Sequence, residues 1–365
     1  MDLKLPTLLV IPTGIGCSLG GYAGDAIPAA RLLAAASGCL ITHPNVMNGA
    51  SLYWSDTRIQ YVEGYGLDRF SAGEIVLKPV RKQQVGLLLD AGIEKELKER
   101  HLQVAEGCRA SLGLNIGPVV STDVPLDIKL HQGLSGSSLG VIGQVDALLQ
   151  AGEKLKNAGA TAIAAVTRFP DNLDSEMLDN YRQGQGVDAL SGAEAVISHL
   201  LVKHLGLPCA HAPALSSLPF HSGLDPRVAG EELGHTFLPC VLVGLSRSPD
   251  LIPVPREHCL EDFCIPGSID VDQLGAVVVP EGALGGEAVL SCLERNIPLI
   301  VVENLNAMNV TTELLGLKDD VLLNRKRLIL NASNYIEAAG LIVLLKEGIN
   351  IDSLSRPFES IHQIN

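Results

Sequence analysis

The chain has 365 residues, 47% hydrophobic and 19% charged, so it holds ample material for a buried core and more chain than one ordinary core uses. Its 41 acidic against 27 basic side chains give a formal charge of -14, and no basic cluster offers the positive face that nucleic acid or an anionic membrane requires. Aromatic residues are only 4%, too few for base-stacking platforms, which leaves a small-molecule ligand as the expected partner, with self-association into a homo-oligomer open.

No apolar run reaches the roughly eighteen residues of a membrane span, and Met1-Asp2-Leu3-Lys4 leads into a strand rather than a cleavable leader, so a cytoplasmic location is expected. The eight cysteines (17, 39, 108, 209, 240, 259, 264 and 292) contain no CxxC pair and suit reduced core thiols better than a disulfide frame or a zinc site.

In chain order, the apolar run Leu8 to Ile11 predicts a buried parallel strand, the stretch Pro12 to Gly21 a glycine loop, and Asp25 to Ala36 the helix behind it. Glycines let backbone approach a ligand closely, and a helix N-terminus offers free N–H groups to an anion. Cys39 to Thr42 predicts a second strand, opening at His43-Pro44 into Asn45-Val46-Met47-Asn48. Residues 53 to 74, with the only Trp and half of the Tyr, read as a loop-bearing segment over a site. A strand at Val85 to Asp90 and a charged helix from Glu94 to Leu112 follow, then an irregular stretch from 114 to 132.

A second glycine-serine loop, Gly133 to Gly140, precedes a helix from Gln144 to Asn157 and a strand from Ala160 to Thr167 that ends at Arg168-Phe169-Pro170. Residues 171 to 192 read as a long polar loop, Ala193 to Leu205 as a helix, Cys209 to Pro213 as irregular chain and Pro239 to Gly244 as a strand. Coil from Leu251 to Ile269 marks a boundary. The end repeats the beginning: strand Ala276 to Pro280, loop Glu281 to Gly286, helix Glu287 to Arg295, strand Pro298 to Glu303, then Asn306-Ala307-Met308-Asn309, with a last helix from Tyr335 to Lys346.

The fold class expected is therefore α/β, with repeated βαβ units, mainly parallel strands and three pseudo-symmetric units over 1–132, 133–250 and 251–365. Units one and three match in order: Pro12-Thr13-Gly14 with Pro280-Glu281-Gly282, Ser18-Leu19-Gly20-Gly21 with Ala283-Leu284-Gly285-Gly286, and the two Asn-x-Met-Asn runs. This symmetry predicts that Ser18, Gly20 and Gly21 face Gly285, Gly286 and Asn306 across one shared pocket.

Both Gly16-Cys17-Ser18-Leu19-Gly20 and Gly136-Ser137-Ser138-Leu139-Gly140 satisfy the G-x-S-x-G pattern of a serine exposed on a strand-to-helix turn. Ser18 and Ser138 are thus candidate nucleophiles and His211 a candidate general base, with anion binding or plain turn chemistry as the alternatives for the loops. Polar residues just beyond apolar strands lie at the mouth of a sheet crevice, which adds His43, Asn45, Asn48, Glu303, Asn306 and Asn309 as substrate-binding candidates. Arg168 is a candidate fork for carboxylate or phosphate. No complete dinucleotide fingerprint and no P-loop lysine is present, so neither a dinucleotide nor a nucleotide triphosphate is expected, no other cofactor is implied, and no metal site is assigned.

The combination Pro12-Thr13-Gly14, Tyr61-Val62-Glu63-Gly64-Tyr65-Gly66, Thr167-Arg168-Phe169-Pro170, Tyr181-Arg182-Gln183-Gly184 and Cys209-Ala210-His211-Ala212-Pro213 resembles a family of bacterial and cyanobacterial proteins classed only as a domain of unknown function. The resemblance spans nearly the whole chain and implies no activity. The three-unit pattern is also similar, at the level of fold alone, to the ring amidohydrolases of the cyanuric acid hydrolase and barbiturase type, whose serine-lysine pairing has no match here. The residues together favour a small-molecule enzyme acting on a polar, anionic metabolite, hydrolysis first among its chemistries, with a non-catalytic metabolite-binding or regulatory protein as the alternative.

Overall fold

The computed structural model describes all residues but 1–3, 13, 23, 49–55, 135–136, 172–174, 217–219, 234–236, 256–264, 306–307, 318–327, 355 and 358–365, and for 175–176 and 230–233 the backbone only. Its first stretch runs β1 (Thr7–Leu9), α1 (Ile27–Ser37), β2 (Leu40–Thr42), the single turn α2 (Pro44–Met47), β3 (Ile59–Tyr61), α3 (Gly64–Ser71) and β4 (Ile75–Lys78). Next come β5 (Val85–Leu89), α4 (Lys95–Leu112), β6 (Ile116–Ser121), β7 (Ile128–Gln132), β8 (Ser138–Ile142), α5 (Val145–Asn157) and β9 (Ala162–Arg168). The chain continues through α6 (Ser175–Arg182), α7 (Ser191–Leu205), β10 (Cys209–Ala214), α8 (Pro226–Leu233), α9 (Leu238–Leu245) and β11 (Asp250–Pro253). It closes with β12 (Ala276–Pro280), α10 (Glu287–Glu294), β13 (Leu299–Val302), β14 (Ile329–Ala332) and α11 (Tyr335–Glu347).

Two parallel sheets carry the α/β fold: a six-stranded one in the order β14-β13-β12-β1-β2-β3 and a four-stranded one in the order β10-β9-β5-β6. The two ends of the chain meet in the first sheet, where β1 lies against β12 with Leu8 opposite Val277 and Leu9 opposite Val278. From that seam β1-α1-β2 runs outward one way and β12-α10-β13 the other, with α1 packed on one face and α10 on the opposite one. A seam where strand order reverses leaves a crevice outside the carboxyl ends of its strands. One apolar cluster extends from Leu9, Ile11 and α1 through Leu238, Val241 and Leu242 of α9 to Leu87, Val166 and Ala210 of the second sheet, so α9 joins the two.

Several elements differ from the sequence expectation for identifiable reasons. Pro239 to Gly244 belongs to helix α9, whose buried Leu238, Val241, Leu242 and Leu245 follow helical spacing with Pro239 in the first turn, where its missing N–H costs nothing. Cys209 to Pro213 is the strand β10; it is an edge strand, which is where a sheet tolerates proline. Gly133 to Gly140 is not a strand-loop-helix turn but ends a hairpin, with Gln132 paired to Ser138 in the antiparallel ladder of β7 and β8. Residues 53 to 74 include β3 and α3, and 171 to 192 include α6.

Candidate functional site

The chain just beyond β1, β2 and β3 meets α6, α7, α9 and β10 around a cavity of about 420 Å³, to which the first residues of α10 also contribute. Most of the wall is apolar, but His43, Glu63, Asp68, Arg182, Asp188, Glu194, His199 and His211 all reach it. Each arrives for a local reason. His43 follows β2; Glu63 follows β3 and caps α3, its Oε2 accepting the Tyr65 N–H at 2.9 Å. Ser191, Glu194, Ala195 and Ser198 recur at the three- and four-residue spacing of one helical face, and that face of α7 lines the cavity. His211 sits in the middle of β10.

The ionisable groups fall into two sets. His199 Nδ1 lies 2.5 Å from Glu63 Oε1 and 2.7 Å from the Ala195 carbonyl. Burial opposes the charge on His199, but the Glu63 hydrogen bond and charge outweigh it and raise the imidazole above its ordinary value. That fixes a proton on Nδ1 and leaves Nε2 as the nitrogen that gains and loses one.

His43 accepts the Ile11 N–H on Nε2 at 3.0 Å and is held to about 4 by burial and by the nearby His199. His211 Nε2 lies 2.7 Å from the Thr167 hydroxyl, while its buried Nδ1 has no hydrogen-bond partner although Glu194 Oε1 is 3.3 Å away. Burial holds His211 to about 3. The carboxyls go the other way. Burial raises Glu194 to about 8; burial and the Glu194 charge raise Asp188 to about 7; and burial raises Asp68, which accepts the Ala288 N–H at 3.0 Å. Near neutral pH the cavity thus offers carboxylic acids able to donate and imidazoles able to accept.

Of the residues singled out from the sequence, the cavity collects His43, Asn45, Asn48, His211 and Gly286, which caps α10. Asn45 also ties the first loop down, donating from Nδ2 to the Ile11 and Gly20 carbonyls at 3.1 and 3.0 Å, and Asn48 accepts the Tyr61 hydroxyl at 2.9 Å. Ser138 stands just behind the wall, its hydroxyl 2.9 Å from that of the lining Ser191 and accepting the Gly192 N–H at 2.8 Å.

The others lie elsewhere. Ser18 takes its N–H to Asn304 Oδ1 at 2.8 Å and exchanges hydrogen bonds with the Leu305 backbone, so the first loop does touch the loop after β13, outside the cavity. Gly20, at φ +85°, gives its N–H to Asp25, and a Cβ on Gly21 would strike the Cys17 carbonyl at 2.5 Å, so these glycines serve the turn. Gly285 packs on Val310, Glu303 and Asn309 are exposed, and Asn306 lies outside the described residues. Arg168 is engaged by Glu94 at 2.8 Å and Asp171 at 2.5 Å. Among the described residues, neither Ser18 nor Ser138 has a histidine or lysine as its hydrogen-bond partner.

Sequence reasoning missed Glu63, Asp68, Asp188, Glu194 and His199. Glu63 follows a strand just as His43 does and was hidden because β3 has only three residues. Ser191, Glu194 and Ser198 stand at helical spacing on α7, but the spacing alone does not show that this face is covered. Among the described residues no group of three or more His, Cys, Asp or Glu side chains could hold a metal ion, and no helix is long and apolar enough to cross a membrane.

Fold and site define an α/β protein of two parallel sheets with a cavity of small-molecule size, its mostly apolar wall set with carboxyls and imidazoles. Residues 6–355 match the model of the family described as protein of unknown function (DUF3326), and the chain belongs to that family. It is 49% identical, over 353 residues, to a protein of Synechococcus sp. named an uncharacterized lipoprotein; the match covers 96% of this chain and 94% of that protein.

Proposed function

We propose that the chain is a small-molecule enzyme, a hydrolase, that binds a polar metabolite bearing an anionic group in the cavity between the sheets. The observation that carries this reading is the Glu63–His199 pair in the cavity wall, with His199 Nδ1 2.5 Å from Glu63 Oε1, which leaves Nε2 as the nitrogen that exchanges a proton. In the neutral imidazole that Nε2 takes a proton from an attacking water and returns it to the leaving group. Arg182 in the wall adds positive charge for the anionic group.

This route uses water rather than a serine nucleophile, since the hydroxyls of Ser18 and Ser138 bond to backbone and hydroxyl groups. A thermal-shift and turnover screen of carboxylate, phosphate, ester and amide metabolites tests it. Ligands of the folded state raise its melting point. Turnover by the wild type that falls about a hundredfold in His199→Gln with KM little changed is the expected result. Binding without turnover would make the chain a metabolite-binding protein, and no ligand at all would remove the reading.

We place this chemistry in the cytoplasm, with the six described cysteines as buried free thiols in support. The relative's name points to a membrane anchor instead. Lipidation of Cys17 after cleavage would remove β1 from the middle of the first sheet and expose a side chain only 5% accessible. Cell fractionation with intact-mass measurement decides: an unmodified soluble chain supports the cytoplasmic placement, and a lipid adduct contradicts it.

A further inference from the structure

One cluster in the cavity wall asks for a specific kind of partner. The His211 side chain is almost wholly buried, and its Nδ1 has no hydrogen-bond partner. In the tautomer that donates Nε2–H to the Thr167 hydroxyl, that nitrogen is an acceptor. Glu194 Oε1 is a second acceptor 3.3 Å from it. The Asp188 carboxyl adds a third acceptor, one oxygen of which takes the Leu190 N–H at 2.8 Å. Two acceptors that far apart cannot satisfy each other once Glu194 ionises, but a single donor nitrogen can stand about 2.9 Å from both. A primary ammonium group carries three donors and the positive charge this wall favours.

We propose that Glu194, Asp188 and His211 Nδ1 form a subsite for a protonated primary amine, so that the ligand is a zwitterionic metabolite of the amino-acid class. This rests on the cavity being the ligand site, and it adds the amine to the anionic group already assigned. The charged groups around Glu194 are Asp188 before its helix, His199 one turn on, His211 on β10, Glu63 and Asp68 on α3, and Arg182 on α6. A bound ammonium ion favours the ionised form of both subsite carboxyls, so binding releases protons and tightens as pH rises. Burial supports the same direction, because it leaves Glu194 and Asp188 partly protonated near neutrality in the empty site.

The test is calorimetric titration of the protein with the twenty L-amino acids, their decarboxylated amines and their deaminated acids, at pH 6 and pH 8 and in two buffers of different ionisation enthalpy. Amino acids or amines are expected to bind, with protons released and affinity at least about tenfold higher at pH 8. Glu194→Gln should weaken that binding about tenfold or more while the ligand-free melting point holds or rises, since the variant removes a buried charge and keeps its shape. Binding by the deaminated acids alone, or affinity that falls as pH rises, overturns the amine subsite and leaves the cavity as an anion-binding site. Absence of binding by every probe overturns the subsite, and the wider metabolite screen then decides the fate of the cavity reading separately.

Discussion

The two sheets each have a place where strand order reverses, and the two places are filled in opposite ways. At the second sheet, between β5 and β9, every charge is answered. Asp90 accepts the N–H groups of Gly92, Leu126 and Arg168 at 2.8, 3.0 and 3.1 Å, and the Arg168 guanidinium is shared by Glu94 and Asp171. At the first sheet, the chain beyond β1, β2 and β3 opens on a cavity in which His211 Nδ1 is orphaned and two carboxyls are raised by burial. Buried polar groups left without partners cost stability, so a fold that keeps them is holding a place for something else. On the proposed reading the first crevice is a site, and the second is a clasp.

The largest expected effect lies in the clasp. Asp90→Ala strands three backbone donors beneath a residue only 1% exposed and should cost about 4 kcal/mol in denaturant unfolding, with cavity ligands still bound by the folded fraction. A loss under about 1 kcal/mol would mean that this crevice is not the braced one.

The cavity should show the opposite sign. A carboxyl whose folded value is raised favours the folded state most fully below its unfolded value, and that contribution is lost as pH rises through the folded one. With Asp188 at about 7 and Glu194 at about 8, stability should fall by about 2 kcal/mol from pH 6.5 to 8 and level off above. Glu194→Gln should flatten that slope. A slope unchanged in the variant would show that Glu194 titrates in water-like surroundings.

A smaller effect separates packing from chemistry at the hairpin. Ser138→Ala removes the hydroxyl bonded to Ser191 and Gly192 and should cost about 1 kcal/mol. A nucleophile's loss would instead stop turnover in a protein of unchanged stability. Least of all, Asn309→Ala, at an exposed position, should stay within about 0.5 kcal/mol of the wild type.

How much of this was legible in the sequence follows the same division. The α/β class and the parallel strands were readable, because buried strands such as Val277-Val278-Val279 are continuous apolar runs bounded by Pro and Gly. His43, Asn45, Asn48 and His211 reached the cavity by the simple rule that polar residues beyond strands face a crevice, or by their proline-flanked setting. Arg168 obeyed the same strand-end rule and went to the clasp, because sequence does not show that Glu94 and Asp171 stand within its reach. Helix α9 was misread since eight apolar residues suit a buried strand and a buried helix equally. The α7 side chains were invisible for a different reason: a helix's polar face points to solvent unless another sheet covers it, and that covering is tertiary.

The comparison of the two crevices is tested most directly by one ligand titration run on three proteins: wild type, Glu194→Gln and Arg168→Met. For any metabolite that binds the wild type, affinity should fall about tenfold or more in Glu194→Gln and stay within about twofold in Arg168→Met. Loss of binding in Arg168→Met with Glu194→Gln unaffected would move the site to the second sheet and contradict the account.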